Sequence, residues 1–194
     1  MANNTNSIEF LDQSSNKSDD SYFEIVNVIY ANGLCGDLRV PPLERPCTPP
    51  FHLHQSQSEL FTLIQGQISY QLDDQTYTCD VHTCPQPIIV RPLVSHTLWM
   101  SDNKEDLIVR VRIDTYSKSR GMRREFFENL YGVSRDQQVS IFQIFVLFDE
   151  ALTYPASLPF SFAKTMVKIG AIIGRLLGYQ GEYDEYTTVT DVSS

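Results

Sequence analysis

The side chains able to do chemistry concentrate in FHLHQSQSELFTLIQG, residues 51–66, which holds His52, His54 and Glu59 and ends on Gly66. The chain has 4 histidines in 194 residues (His52, His54, His82 and His96). Alternation along an extended strand puts His52 and His54 on one face and Phe51 and Leu53 on the other. Two imidazoles and a carboxylate converging from neighbouring strands, joined by His96 from further along, offer nitrogen and oxygen donors to a divalent first-row metal. Such a set leaves one or two positions open on a five- or six-coordinate ion, as a catalytic metal needs and a closed structural one avoids. The absence of cysteine from the set speaks against a structural zinc.

The elements that must position these residues follow from hydrophobic periodicity. FEIVNVIY (residues 23–30) is β-branched and aromatic, a strand by propensity; Asn32-Gly33 turns it, and residues 34–40 return. Residues 41–50 contain five prolines and are expected as a rigid loop that delivers the chain to the HxH strand. After Gly66, Ile68, Tyr70 and Leu72 alternate with polar residues, Asp73-Asp74 turns, and QTYTCDVHT continues as a strand. IIV (88–90), HTLWM (96–100) and DLIVRVRID (106–114) complete about eight strands, which fits a double-sheet jelly roll. From Ser117 the period changes to about 3.6 and three helices are expected, over residues 119–132, 139–154 and 160–179. Gly132 is read as the stop of the first and PASLP, residues 155–159, as the break after the second. In the third, Lys164, Lys168 and Arg175 share one face, while Gly170, Gly174 and Gly178 form a small-residue stripe for close helix approach.

The spacing H-x-H-x4-E-x6-G resembles the first motif of the cupins, with His52, His54, Glu59 and Gly66 at its positions. The second cupin motif reads roughly P-x-G-x-x-H-x-x-x-N, and RPLVSHTLWM keeps its histidine as His96. Arg91, Leu93 and Met100 stand where that motif has Pro, Gly and Asn, departures that bear on turn geometry and strand capping. The resemblance spans about residues 22–115. It implies a mainly β fold, a cupin jelly-roll β-barrel, here with a C-terminal α-helical extension. It implies a divalent metal ion (Fe, Mn, Ni, Cu or Zn) on His52, His54, Glu59 and His96. The implied chemistry is O2 activation with a chelating substrate, or Lewis-acid polarisation leading to isomerisation, dehydration or cyclisation. The long helical tail is similar to that of small stand-alone cupins of natural-product pathways.

Composition bounds the rest. Net charge is −9, but residues 1–20 (Glu9, Asp12, Asp19, Asp20 against Lys17) and 181–194 (Glu182, Asp184, Glu185, Asp191) carry most of it. The body between them is nearly neutral, which argues against nucleic acid, since phosphate binding needs a basic patch. The short basic stretch SKSRGMRR (117–124) reads as a solvated helix start. The expected division is a disordered or loosely attached arm at 1–20, a barrel at 21–116, helices at 117–180 and an acidic tail at 181–194. The polar N-terminus and cysteines without C-x-x-C spacing predict reduced thiols and a cytoplasmic protein, with Cys79 and Cys84 as ordinary buried thiols in preference to a pair closing a small loop.

The reading is a metal-dependent cupin enzyme, a dioxygenase-like oxidoreductase acting on a small hydrophobic metabolite of polyketide or phenolic type. Phe61, Leu63, Leu98 and Met100 line its pocket, with Tyr70 as a polar handle and Arg110 as a candidate for a substrate oxygen. Glu59 and Tyr70 are the candidate proton-transfer groups. The alternatives are a redox-neutral lyase, isomerase or cyclase, and a non-catalytic binding protein that uses the helical tail as partner surface. A homodimer is expected from jelly-roll edges and apolar helices; the third helix is read as packing with the second against the barrel or a second subunit, with a peripheral membrane contact as the alternative.

Overall fold

The computed structural model describes residues 22–31, 34–36, 43–46, 49–102, 104–114, 120–136 and 139–187. The N-terminal arm 1–20, the Asn32-Gly33 turn, residues 37–40 and the end of the acidic tail lie outside the described residues. In chain order the strands are β1 (Tyr22–Ile29), β2 (Leu34–Gly36), β3 (Leu43–Pro46), β4 (His52–His54), β5 (Glu59–Gln65), β6 (Gln67–Leu72) and β7 (Gln75–Asp80). After them come β8 (Ile88–Val90), β9 (His96–Met100) and β10 (Leu107–Asp114). The C-terminal part holds α1 (Arg124–Asp136), α2 (Ile141–Ala151), β11 (Thr153–Pro155) and α3 (Phe160–Leu176).

Two antiparallel sheets face each other, one ordered β3-β2-β1-β10-β5-β8 and the other β11-β4-β9-β6-β7. Their inner faces follow the period-2 pattern: Leu107, Val109, Val111 and Ile113 of β10 are buried and meet Phe61 and Leu63 of β5 with Ile68, Tyr70 and Leu98 in one core. Met122, Phe126 and Phe127 of the α1 region and Leu147 and Ala151 of α2 join this core. The chain is thus a mainly β jelly-roll sandwich with helices folded back onto it. A second, smaller core lies outside β4, where Leu53 packs on Tyr154, Ala163 and Val167.

Several elements differ from expectation for identifiable reasons. The proline-rich segment contributes β3, which pairs with β2 at the sheet margin, where a proline's missing N–H costs no ladder bond. α1 starts at Arg124 and runs through Gly132. That glycine is tolerated inside the helix because the Tyr186 ring lies where a Cβ would be. α2 ends early, at Ala151, because Leu152 takes a left-handed cap (φ 50) and turns the chain into β11. Arg120, Arg123 and Arg124 are paired within the protein, with Asp149, with Glu125 and Glu182, and with Glu128, and form no solvated basic face. Cys79 and Cys84 form a disulfide in place of the expected thiols. A tight turn in which Asp80 accepts from the backbone of His82, Thr83 and Cys84 brings their Cα atoms to 5.1 Å, within bridging range.

α3 packs on α2 through Gly170 and Gly174, where a Cβ would strike Phe145 or the Phe142 carbonyl; Gly178 meets nothing and only ends the helix (φ +93). Arg175 pairs with Asp149 and Glu150, while Phe162, Ile169, Ile172 and Leu176 are exposed. No helix among the described residues is long and apolar enough to cross a membrane.

Gln57 locks the barrel to the helices. Its buried amide donates to the carbonyls of Asp114 and Met122 and accepts from the Met122 N–H. Gly121 (φ +103) passes so close that any Cβ would collide with the Gln57 amide. Gly66 is likewise required: its φ is +87 and a Cβ would lie 2.8 Å from the Asp106 carbonyl. Leu93, at the place of the second motif's glycine, holds the left-handed φ of 67 without one. Its N–H donates to the His54 carbonyl at 2.8 Å, which holds the turn in place. A left-handed L-residue costs about 1–2 kcal/mol. Leu93→Gly is therefore expected to raise stability by about 1 kcal/mol after the added chain entropy of glycine is offset. Urea unfolding of the two proteins measures this, and an unchanged or lower midpoint would show the turn to be unstrained.

Candidate metal centre

Four buried side chains converge between the sheets. β4 supplies His52 and His54, and β9 supplies His96 directly opposite His52 in the same sheet. Glu59 comes from the facing sheet, at the start of β5, between Val90 of β8 and Ile113 of β10. One ligand atom from each of the four lies within 4.8 Å of the others. The Glu59 Oε2 atom is 3.0 Å from His54 Nε2 and 2.9 Å from His96 Nε2. The three imidazole rings have centroids 4.3 to 5.0 Å apart.

The outer nitrogens decide what the inner ones can do. His52 Nδ1 lies 2.7 Å from the Pro50 carbonyl, and His96 Nδ1 lies 3.1 Å from that of Val94. A carbonyl only accepts, so both rings carry their proton on Nδ1 and turn the Nε2 lone pair inward. His54 Nδ1 meets the Thr153 hydroxyl at 3.0 Å, a group that can donate or accept and that also lies 3.3 Å from the Ala151 carbonyl. The contacts of His54 Nε2 and His96 Nε2 with Glu59 Oε2, at 3.0 and 2.9 Å, each need a proton or a metal cation between nitrogen and oxygen. Such contacts are repulsive unless a positive charge lies among them.

Burial, reinforced by His54 and His96, lowers the His52 imidazole to about 3, and burial lowers His54 as well. Burial alone would raise the Glu59 carboxyl, but the contacts from His54 and His96 outweigh it and hold the group below the usual carboxylate range. Neutral imidazoles around an ionised carboxylate are the donor set a divalent cation requires, and a cation at their meeting point satisfies every inward lone pair together. The distances fit as well. Two donors about 2.1 Å from an ion and at right angles are about 3.0 Å apart, the separation found at Glu59 Oε2. Hydrogen-bonded outer nitrogens of this kind also fix ring orientation in metal sites. These four residues therefore fit a divalent metal, whose identity their mixed N/O chemistry leaves open.

Around the centre, Phe61 and Leu63 share the inward face with Glu59, and the Phe61 ring is 6.2 Å from that of His96. Leu98 and Met100 share it with His96, Leu98 buried and Met100 half-buried. Tyr70 is buried on the same face, directly opposite Leu98, and stacks on Tyr77 with ring centroids 5.1 Å apart. Burial, then the neighbouring Tyr77, raises its phenol. Arg110 does not belong here. It alternates with the buried Val109 and Val111, so the strand's period turns it outward, and it is exposed on the outer face of β10. The sequence reading also missed Thr153, because nothing local in a segment read as the end of a helix signals an edge strand.

The sandwich, the HxH pair on one strand, the glutamate across from it and the later histidine agree with the motif resemblance. The chain folds as a cupin. No protein-family model matches it. It is 28% identical over 170 residues to an oxidoreductase of Arthrobotrys oligospora, covering 80% of this chain and 66% of that protein. To an epoxidase of Aspergillus terreus it is 30% identical over 167 residues, covering 76% of this chain and 49% of that protein. The chain thus spans two thirds or less of the length of either relative. Among solved structures, a cupin-2 domain containing protein from Shewanella frigidimarina is 14% identical, with 48% of this chain and 70% of that one covered at a TM-score of 0.33.

A metal-free sample should be acid-labile. The folded state holds His52 near 3 while the unfolded chain titrates at 6.5, so between these values the unfolded state binds more protons. Stability then rises with pH across this window and falls on acidification, with the depressed Glu59 carboxyl adding loss of the same sign below about 4.5. Melting curves in a chelator at pH 7, 5.5 and 4 test this: the midpoint should drop stepwise, and less steeply for His52→Gln. A midpoint independent of pH would contradict a neutral His52.

Proposed function

We propose that this cupin is a metal-dependent oxidoreductase of dioxygenase type, acting on a small hydrophobic metabolite such as a polyketide or a phenol. The observation that carries the reading is the convergence of three imidazoles and one carboxylate, with ligand atoms within 4.8 Å of one another, in a buried site. The redox class is supported by relatives named oxidoreductase and epoxidase. His52, His54, Glu59 and His96 would hold the ion, which when bound supplies O2 activation if redox-active and carbonyl polarisation if not.

The remaining work falls to the chain's own groups. Phe61, Leu63, Leu98 and Met100 exclude water and bind an apolar substrate body. The Tyr70 hydroxyl, protonated at neutral pH like any tyrosine and pushed further up by burial, is a donor to a substrate oxygen. Glu59, held ionised, offers a carboxylate oxygen as the acceptor for a substrate proton.

Oxygen uptake separates the oxidoreductase from a redox-neutral lyase, isomerase or cyclase. Protein reconstituted with Fe(II) and offered a panel of phenolic and polyketide substrates should consume O2 in step with product. The His52→Ala/His54→Ala double variant should lose both signals. Product formed with no O2 uptake would move the assignment to the redox-neutral class, and turnover surviving in the double variant would remove the metal from the reaction.

A further inference from the structure

We infer that the outward face of α3 is the surface on which two copies of this chain pair. The helix buries one side only. Ala163, Val167, Gly170, Ala171 and Gly174 are buried toward α2 and β11. The opposite side carries Phe162, Ile169, Ile172, Ile173 and Leu176, with Leu177 at the cap, each between 39% and 82% exposed. Single exposed apolar residues are ordinary, but six large ones on one helix are not. At roughly 100 Å2 each they present roughly 600 Å2, the upper end of what a monomer leaves in water and most of the about 800 Å2 per partner that a stable interface buries.

The spacing of the stripe decides what fits it. Phe162, Thr165, Ile169, Ile172 and Leu176 are all exposed and recur at alternating steps of three and four residues. That is the spacing by which one helix seats along another. At 100° per residue the five stay within about 80° of arc, so they form one continuous seam. Such a seam is complementary to itself, as pairing of one patch with its own copy about a twofold axis requires. Ile169 lies midway between Phe162 and Leu176, so helices paired in either direction set Ile169 beside its own copy.

Other occupants match this face less well. A membrane surface attracts a helix through unpaired cations beside its apolar face. Here Arg175 is held by Asp149 and Glu150, and Lys164 lies over the Phe160 ring, 5.6 Å from its centroid. The acidic residues Glu182, Asp184 and Glu185 follow directly, in a chain of net charge −9, and oppose anionic headgroups. Outside the described residues, 1–20 offer Met1, Ile8, Phe10 and Leu11, and 188–194 offer Val189 and Val192, in neither case at the spacing of the seam. A second copy brings the same six side chains at the same spacing.

The test is light scattering after size exclusion, on the full chain at micromolar concentration. Wild-type protein should have twice the mass of one chain. Ile169→Lys/Ile172→Lys puts two charges into the seam on side chains that are exposed in the single protomer, and should halve that mass with the circular dichroism spectrum unchanged. Ile89→Lys, equally exposed but on β8, should keep the dimer mass. Ile169→Cys should form an intermolecular disulfide under mild oxidation. Thr76→Cys should not, being on β7 at the far margin of the five-stranded sheet from β11. Any wild-type mass other than that of two chains, or a dimer that survives the double lysine variant, would overturn the inference. Flotation of monomeric wild-type protein with phosphatidylserine and phosphatidylcholine vesicles would assign the face to a membrane and overturn it equally. Neither metal nor turnover enters these readouts, so they decide the pairing whether or not the metal-centre reading holds.

Discussion

One carboxylate from one sheet meets imidazoles from the other, and the structure is arranged around that meeting. Glu59 leaves water for a position between Val90 and Ile113, where an ionised carboxylate without partners would cost several kcal/mol. Its Oε2 atom finds compensation only across the sandwich, at His54 and His96. The two sheets are thus joined at this point by charge, where elsewhere they are joined by apolar packing. The carbonyls of Pro50 and Val94 hold the Nδ1 side of His52 and His96, which turns the Nε2 atoms of both rings inward, where a cation can meet them.

The helical extension takes part in this arrangement. α2 ends in a left-handed residue so that the chain can lie down as β11 beside the HxH strand, covering an edge that would otherwise be open. Leu53, the residue between the two histidines, is buried under Tyr154, Ala163 and Val167. Both faces of β4 are therefore packed, the inner by the site and the outer by the extension. Gln57, between the histidines and the glutamate, ties the same loop to the end of β10 and the approach to α1. A loop held at both ends in this way keeps His54 and Glu59 in register.

Much of this was legible in the sequence because it depends on period and spacing. The HxH alternation gave the inward pair, the distance to Glu59 placed it after one short loop, and Gly66 marked the turn that its positive φ requires. Arg110 could be offered as a pocket residue only against the same alternation, which, taken strictly from Val109 and Val111, turns it outward. The cystine at Cys79 and Cys84 was legible only as the lesser alternative, since it depends on how tightly Asp80 gathers the following backbone. Nor was Thr153. Edge strands of three residues have no periodicity of their own, and a hydroxyl that matters through a partner 99 residues away leaves no local signal. Leu93 shows the converse: the motif position was legible, and the fold keeps the glycine-like conformation without the glycine.

X-ray absorption at the metal edge, on protein loaded with one equivalent of Co(II) or Fe(II) and dialysed, tests the central claim most directly. The account predicts a nitrogen- and oxygen-only shell at about 2.0–2.2 Å with the multiple-scattering signature of about three imidazoles. A spectrum with no imidazole scattering, or loss of the metal on dialysis, would contradict it.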